Sequence, residues 1–357
     1  MTPDEVLMAQ RLEPSTWTLR GDAQPIAAPI RYNGPSFFGA FDVSTDGRVL
    51  VYTPGSSEKP GLWWFDRTGK PLGAIDRRAS YRGVRVSPDG RRIAVELPDE
   101  RYGTRDVWLI DTTTQALTRL TSNPATDWRP VFSPDGTAIV FASDRAGAST
   151  IFRMPTTGAG GETVLYRHPV GGAFPADWSR DGKFVLARIE DAQGRPNVLA
   201  LIPVDGGAAT FLIDNDPATV SSPRLAPEGD RFAFESTATG TREIYVMSIA
   251  DRQRVRVSTG GGFNPYWGRD GRELFFQNGR GEILLATLEG NGLAVSGPPV
   301  VLLRPCADLA AMRLGVDASE VNFDVTADGL RFVARCDPQD SVVSTATVIV
   351  NWQSRLR

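Results

Sequence analysis

The stretch Val131-Phe132-Ser133-Pro134-Asp135-Gly136, followed by Ala138-Ile139-Val140-Phe141, contains a tight turn between two β-rich segments. Serine at the first turn position can hydrogen-bond to the backbone, and proline fixes φ at the second position. Aspartate tolerates the third position, and glycine accepts the left-handed conformation that ends the turn. The stretch therefore predicts a hairpin of two antiparallel strands.

An acid–glycine pair of this kind recurs along the whole chain. The pairs are Asp46-Gly47, Asp89-Gly90, Asp135-Gly136, Asp181-Gly182, Glu228-Gly229, Asp270-Gly271 and Asp328-Gly329. The intervals between successive glycines of these pairs are 43, 46, 46, 47, 42 and 58 residues. A repeat of this period indicates one supersecondary unit that is copied along the chain.

Each unit contains two more strands after the hairpin. Third strands such as Ile244-Tyr245-Val246-Met247 are apolar, whereas fourth strands such as Arg254-Val255-Arg256-Val257 are more polar. The rise in polarity indicates that the fourth strand is a solvated edge. Four antiparallel strands every 42 to 47 residues are typical of a β-propeller blade. The hairpins predict an all-β propeller of four-stranded antiparallel blades, with seven blades expected and six or eight as alternatives.

The two ends of the chain predict how the ring closes. Residues 5–11 and 25–30 have strand composition without a preceding acid–glycine turn. We therefore expect residues 1–31 to supply N-terminal strands that complete the C-terminal blade and remove two exposed edges. Residues 347–352 compete for the same position, which leaves the blade number open. The long last interval predicts a short helical insertion over residues 307–320, within a single propeller domain over residues 1–357.

The composition fits a folded protein and excludes several classes of partner. The 357 residues carry 39 Lys and Arg against 42 Asp and Glu, for a net charge of −3. Because there is no basic surplus, no nucleic-acid partner is expected. No apolar stretch approaches the roughly 20 residues that span a bilayer, so no membrane insertion is expected of this chain either. A monomer is predicted.

The repeats resemble the WD40-like repeats of TolB-type propellers. The resemblance rests on the Ser-Pro-Asp-Gly turns and on strands such as Ile244-Tyr245-Val246-Met247, and it covers most of the chain. A narrower resemblance, to the C-terminal propeller of bacterial serine/threonine protein kinases, rests on residues 62–70, 260–267, 270–275 and 351–352. It implies a sensor role, and an extracytoplasmic location if the chain is a fragment of a membrane-anchored kinase. As printed, the sequence has no secretory signal, and a cytoplasmic location is expected.

Catalytic constellations of several kinds are absent from the sequence. The one histidine, His168, is followed by Pro169, so no His-Arg-Asp loop of a kinase is present. The Gly-x-Ser-x-Gly motif of a hydrolase does not occur either. One histidine cannot fill the zinc sites that histidine-rich enzymes use. Cys306 and Cys336 lack metal-ligand spacing and are expected as free thiols unless the chain is exported. We expect no cofactor, no metal and no enzyme activity.

The loops that enter first strands and join second to third strands crowd one mouth of a propeller channel, where a rigid fold presents them to a partner. We expect this mouth to bind a protein or peptide, or a small ligand, because Arg, Tyr and Trp are the usual anchors of recognition. The candidate residues are Tyr81, Arg82, Arg101, Tyr102, Trp128, Arg129, Asp144, Arg145, Phe174, Asn264 and Tyr266.

A carboxylate-based hydrolase or lyase that acts on sugars is the alternative function. It requires two acids about 5 to 10 Å apart in a polar pocket. Asp127, Asp144, Glu190 and Glu235 are the candidates, since the acids of the repeated turns serve the turns themselves.

Overall fold

The computed structural model describes residues 6–28, 30, 32–33, 38–39, 41–52, 61–75, 79–99, 101–191, 193–214, 216–290, 292–305, 323–335 and 346–355. None of the helices in these ranges has the length and apolar character that a membrane crossing requires. The chain is described as two compact units, and the single-domain organisation stays a prediction. Unit 1 comprises Met1–Lys59, Met312–Asp317 and Ser341–Arg357, and unit 2 comprises Pro60–Ala311 and Ala318–Asp340.

The described residues in the N-terminal part of unit 1 form six strands. They are β1 (Leu7–Glu13), β2 (Thr18–Ala27), β3 (Tyr32–Asn33), β4 (Phe38–Gly39), β5 (Phe41–Val43) and β6 (Val49–Tyr52). Strand β1 pairs with β2, and β3 pairs with β4, each as a separate two-stranded sheet within the described residues. Strands β5 and β6 form the hairpin around the first acid–glycine pair, Asp46-Gly47.

Unit 2 consists of short strands throughout its described residues. Up to residue 166 they are β7 (Leu62–Asp66), β8 (Pro71–Ile75), β9 (Arg82–Val86), β10 (Arg92–Asp99), β11 (Thr104–Asp111), β12 (Leu117–Arg119), β13 (Asp127–Phe132), β14 (Ala138–Ser143), β15 (Thr150–Pro155) and β16 (Thr163–Tyr166). The next are β17 (Ala173–Trp178), β18 (Phe184–Glu190), β19 (Pro196–Pro203), β20 (Thr210–Ile213), β21 (Val220–Leu225), β22 (Arg231–Ser236), β23 (Glu243–Ser248) and β24 (Arg254–Arg256). The last are β25 (Phe263–Trp267), β26 (Glu273–Gln277), β27 (Ile283–Glu289), β28 (Ala294–Val295), β29 (Val300–Leu303), β30 (Phe323–Val325) and β31 (Arg331–Arg335).

These strands form six antiparallel sheets, which we name A to F. Sheet B is β9–β12, sheet C is β13–β16, sheet D is β17–β20, and sheet E is β21–β24, each paired in chain order. Sheet F contains β25, β26 and β27, with β28 and β29 both paired to β27. Sheet A has the order β30-β31-β7-β8 and so combines strands from both ends of unit 2. The all-β class and the four-stranded antiparallel sheets are confirmed.

Sheet A differs from the predicted closure. Strands β7 and β8 complete the sheet that contains β30 and β31, so residues 62–75 occupy the position expected for residues 1–31. The remaining strand, β32 (Thr347–Val350), pairs with β6 in unit 1 and precedes a 3-10 helix at Trp352–Arg355. The count of seven blades is not confirmed, because the described residues of unit 2 form six such sheets and the first hairpin lies in unit 1.

Apolar side chains fill the space between neighbouring sheets. Buried residues of sheets C and D form one cluster, which contains Val140 and Val185, and further clusters join sheets A with B, B with C, D with E, and E with F. Sheets F and A meet through the rings of Phe275 and Phe332, whose centroids are 5.3 Å apart. Each sheet of unit 2 therefore has two neighbours.

Hydrogen bonds within the repeated turn explain its residues. Ser87 Oγ donates to Asp89 Oδ1 at 2.6 Å, and the Arg91 N–H donates to the same carboxylate oxygen at 3.0 Å. The Arg92 N–H donates in turn to Ser87 Oγ at 2.9 Å. Gly90 has a φ of 70°, in the left-handed region that favours glycine. The predicted turn role of the acid is confirmed.

Two further predictions lie outside the described residues. They are the helix over residues 307–320 and the free thiols of Cys306 and Cys336.

Candidate binding cavity

One position of the repeat brings six residues of unit 2 together. It is the residue five places before each turn glycine, near the end of the first strand of each sheet. In the order of sheets A to F these residues are Asp324, Arg85, Val131, Asp177, Arg224 and Tyr266. All six line a single cavity of about 630 Å³. Ligand cavities in proteins usually have about 300 to 1,000 Å³, so the space can hold a small ligand or part of a peptide.

The hydroxyl of Tyr266 is the centre of the hydrogen-bond network in the cavity. It accepts hydrogen bonds from Arg85 Nη1 at 2.9 Å and from Arg224 Nη2 at 3.2 Å. It donates to the carbonyl oxygen of Phe323 at 2.8 Å, which uses its remaining hydrogen-bonding capacity. Arg224 also donates to the carbonyl of Ala176. The two guanidinium groups are therefore held in fixed positions.

The two aspartates of the cavity accept hydrogen bonds from the neighbouring sheet. Asp324 Oδ2 accepts the backbone N–H of Val86 at 2.7 Å, and Asp177 Oδ2 accepts that of Leu225 at 2.8 Å. Val86 follows Arg85 and Leu225 follows Arg224. Each aspartate therefore accepts a hydrogen bond from the residue next to the arginine that the neighbouring sheet contributes to the cavity. Desolvation by the cavity walls raises the pKa of Asp177 and that of Asp324, each to about 6.

Two further arginines lie at the mouth of the cavity, in the turns themselves. Arg180 and Arg269 occupy the turn position before the acid, and both are exposed and line the cavity. Arg180 Nη1 reaches the carbonyl oxygen of Arg269 at 3.4 Å, so its side chain extends toward the turn of sheet F. The corresponding residues of the other turns are Ala327, Pro88, Pro134 and Pro227.

Three of the predicted site residues form an aromatic and basic cluster at the opposite ends of their strands. The rings of Trp128 and Phe174 have centroids 6.1 Å apart, and the Arg129 guanidinium lies 5.5 Å from the Phe174 ring. Arg188, which the prediction did not include, lies over the same ring at 4.5 Å. Trp128 and Arg129 are near the start of β13, whereas the turn follows its end.

The other predicted residues take structural or peripheral positions. Tyr81 is fully buried, and its carbonyl accepts a hydrogen bond from Arg335 Nη1 at 2.5 Å. Asn264 is buried as well, and its N–H donates to Glu235 Oε1 at 2.7 Å. Arg82 begins strand β9.

Four predicted residues belong to loops that follow second strands. Arg101 and Tyr102 stack on one another in an exposed loop, with the guanidinium 5.8 Å from the ring centroid. Asp144 Oδ1 accepts the Thr126 N–H at 2.9 Å, and Arg145 lies 4.6 Å from the Phe152 ring. The prediction that these loop residues bind a partner stays a prediction.

The carboxylates considered for catalysis are engaged by arginines or by backbone. Arg145 Nη2 donates to both oxygens of the buried Asp127, at 2.8 and 2.9 Å. Arg242 Nη1 donates to Glu235 Oε2 at 3.0 Å, and Arg188 lies 3.0 Å from Glu190 Oε1. No cluster of three or more potential metal-binding side chains occurs among the residues that the structure describes.

Of the cavity residues, only Tyr266 was among the predicted site residues. The sequence contained the signal for Asp324, Arg85, Val131, Asp177 and Arg224, because each lies five residues before a turn glycine. Arg85, Asp177, Arg224 and Asp324 are polar residues in otherwise apolar strand ends, and aligning the repeats on their glycines would have singled them out. Arg180 and Arg269 would have been found as departures from the turn proline.

Comparison with known proteins identifies relatives of this chain. The family model of the TolB beta propeller domain matches residues 35–215. A Tol-Pal system protein TolB from Francisella tularensis is 28% identical over 222 residues, which is 60% of this chain and 49% of the relative. The chain thus spans about half the length of the curated relatives that it matches.

Solved structures show the same fold at low sequence identity. The structure of TolB from Agrobacterium tumefaciens has a TM-score of 0.58 at 16% identity, and the match covers 78% of this chain and 99% of that one. TolB from Acinetobacter baumannii has a TM-score of 0.51 at 16% identity, covering 70% of this chain and 68% of that one. These likenesses concern the fold.

Proposed function

Because this chain belongs to the TolB β-propeller family, we propose that unit 2 is a non-enzymatic binding module that captures a polypeptide segment in its cavity. The observation that carries the proposal is the cavity itself, to which each of the six sheets contributes a residue from the same repeat position. Loops and turns held by a rigid fold are the usual location of binding residues.

The side chains around the cavity suit binding better than reaction. Tyr266 donates to and accepts from fixed partners, so its hydroxyl is not available as a nucleophile. The arginines and aspartates are positioned before a ligand arrives, which reduces the entropy lost when the ligand binds. Trp178 and Trp267 also line the cavity and offer apolar contact area.

A bulky residue at the mouth of the cavity tests the proposal. Peptides selected by display on the intact chain should bind an Ala327→Trp variant at least about tenfold more weakly, because the indole would fill the entrance that an exposed alanine leaves open. Ala116→Trp is the matched control, since Ala116 is exposed in the turn between β11 and β12 and does not line the cavity. Titration calorimetry measures both affinities.

Equal affinity of the selected peptides for the Ala327→Trp variant and the control would contradict a binding role of the cavity. In that case the cluster of Trp128, Arg129 and Phe174 is the next surface to test. Replacing Trp128 and Arg129 together by alanine should then weaken peptide capture without lowering thermal stability.

A carboxylate-based enzyme is the second candidate function, and one observation favours it. Asp177 and Asp324 line the same cavity, and both have a pKa of about 6, as acid–base residues often do. Turnover of an oligosaccharide panel by the intact chain, abolished in Asp177→Asn and Asp324→Asn variants, would support this function over binding alone.

The kinase-linked sensor role stays a prediction, which a kinase domain encoded upstream in the same gene would support.

A further inference from the structure

Two exposed arginines lie at the mouth of the cavity, where every turn also carries an acid. Arg180 and Arg269 are exposed, and no carboxylate among the described residues forms an ion pair with either of them. They replace proline in two of the six turns, so the turn geometry does not require them.

The acids at the same mouth are already hydrogen-bonded to their own turns. Asp89 accepts from Ser87 Oγ at 2.6 Å and from the Arg91 N–H at 3.0 Å. Asp328 accepts from Thr326 Oγ1 at 2.5 Å and from the Leu330 N–H at 3.0 Å. Because these carboxylates serve the turns, the arginine donors at the mouth remain available to a ligand.

From this arrangement we propose that the cavity mouth recognises the carboxylates of an acidic polypeptide segment through Arg180 and Arg269. The proposal rests on the proposed function and names the chemistry of the partner. The planar guanidinium fork matches a carboxylate with two parallel hydrogen bonds, which makes arginine better suited than lysine to this contact.

The interior of the cavity favours a polypeptide over a phosphate ligand. Asp177 and Asp324 lie in the cavity wall, and their negative charge disfavours a doubly charged phosphate more than a singly charged carboxylate at the mouth. Phe132, Trp178 and Trp267 add apolar surface, against which the non-polar part of a peptide can pack.

Fluorescence anisotropy with a labelled hexaglutamate peptide, blocked at both ends, tests the proposal on the intact chain. We expect the peptide to bind at low ionic strength and a hexaglutamine peptide not to bind. The Arg180→Gln and Arg269→Gln double variant should bind hexaglutamate at least about tenfold more weakly, since hydrogen bonds to charged groups contribute about 1.5 to 3 kcal/mol each. Circular dichroism verifies that the variant is folded.

The control variant removes two equally exposed arginines elsewhere. Arg256 lies in the outer strand β24 and Arg280 in the turn between β26 and β27, and neither lines the cavity. The Arg256→Gln and Arg280→Gln double variant changes the net charge by the same amount and should keep the affinity within about twofold. A second cavity variant, Arg180→Pro with Arg269→Pro, installs the proline that three of the other four turns contain and should lose binding like the glutamine variant.

Three outcomes would overturn the proposal. The first is that hexaglutamate and hexaglutamine bind with equal affinity. The second is that the cavity variant and the control variant lose the same affinity for hexaglutamate. The third is that inorganic phosphate displaces hexaglutamate at lower concentration than glutamate does. The proposed function can be judged separately. If Ala327→Trp blocks the selected peptides and the cavity arginine variant does not, binding at the cavity stands and acid recognition fails. If neither change affects them, both proposals fail.

Discussion

The six residues of unit 2 that lie five places before a turn glycine fall into two similar halves. In the order of sheets A to C the cavity position holds Asp324, Arg85 and Val131, and in sheets D to F it holds Asp177, Arg224 and Tyr266. In each half the aspartate accepts a backbone N–H from the sheet that supplies the arginine. Removal from water makes a charge costly, and the backbone N–H groups offset only part of that cost, because desolvation still raises the pKa of Asp177 and that of Asp324 to about 6.

The raised pKa of Asp324 predicts how stability depends on pH. Its folded-state pKa of about 6 exceeds the value of about 3.8 expected when unfolded, so the folded state binds more protons between these two pH values. The free energy of unfolding should therefore fall as pH rises from about 4 to about 6.5. In Asp324→Asn this fall should be smaller by about 2 to 3 kcal/mol, which urea unfolding at several pH values measures.

Asp135→Asn is a control for that experiment, because the pKa of Asp135 is lowered by folding whereas that of Asp324 is raised. Hydrogen bonds from Ser133 and from Thr137 lower the pKa of Asp135 to about 2, so its stabilising contribution is lost only as pH falls below the unfolded value. Between pH 4.5 and 6.5 this variant should shift stability by a nearly constant amount. A pH dependence in Asp324→Asn as steep as that of the parent chain would contradict the assignment.

At the scale of elements, arginines after the turns join neighbouring sheets. Arg92 Nη2 donates to the carbonyl oxygen of Gly136 at 2.7 Å, and its guanidinium lies 5.8 Å from the Phe132 ring. Arg231 repeats the contact, since its Nη2 donates to the Gly271 carbonyl at 2.9 Å. Both arginines lie two residues after a turn glycine, so the repeat supplies the linkage between sheets as well as the turn.

Replacing Arg92 should therefore destabilise the fold through the contact between sheets B and C. We expect Arg92→Met to lower the free energy of unfolding by about 1 to 2 kcal/mol, because the hydrogen bond and the aromatic contact are lost while the aliphatic part remains. Arg91→Met replaces the exposed arginine next to Arg92 and should lower the free energy of unfolding by less than about 0.5 kcal/mol. Urea unfolding of both variants measures the difference, and equal stabilities would refute the role of Arg92.

How much the sequence could predict also differs between elements. Hairpins, third strands and fourth strands follow from local turn chemistry and strand composition, and these were predicted correctly. The pairing of β7 with β31 joins residues more than 250 positions apart, and nothing in the local pattern of Leu62–Asp66 specifies its partner. The N-terminal segment has the same strand composition and was therefore assigned to that place instead.

The same limit explains the missed part of the candidate site. Trp128 and Arg129 were predicted as binding residues from their residue types. Asp177 and Arg224 can be recognised as cavity residues only when the six strand ends are brought together. That convergence is a property of the whole unit, because a residue in one repeat has no contact with its equivalent until the sheets are arranged. Tyr266 was selected for its aromatic ring, but the structure gives its hydroxyl the central position.

At the scale of the whole molecule, sheet A joins the two ends of unit 2. Strand β31 pairs with β7, and Arg331 and Asp66 are partners in this pairing. Sheet A then contacts sheet B through β30 and β9, and sheet F through Tyr266 and Phe323, whose ring centroids are 4.9 Å apart.

Disulfide trapping of this strand pair is the most direct test of the account. In a chain whose Cys306 and Cys336 are replaced by serine, cysteines at positions 66 and 331 should form an intramolecular disulfide under mild oxidation. Peptide mapping by mass spectrometry identifies the bond, and cysteines at 66 and 135 serve as the unpaired control. We predict efficient bonding between 66 and 331 alone. Failure of that pair, together with bonding between positions 8 and 331, would show that the N-terminal strand completes the sheet and would contradict the account.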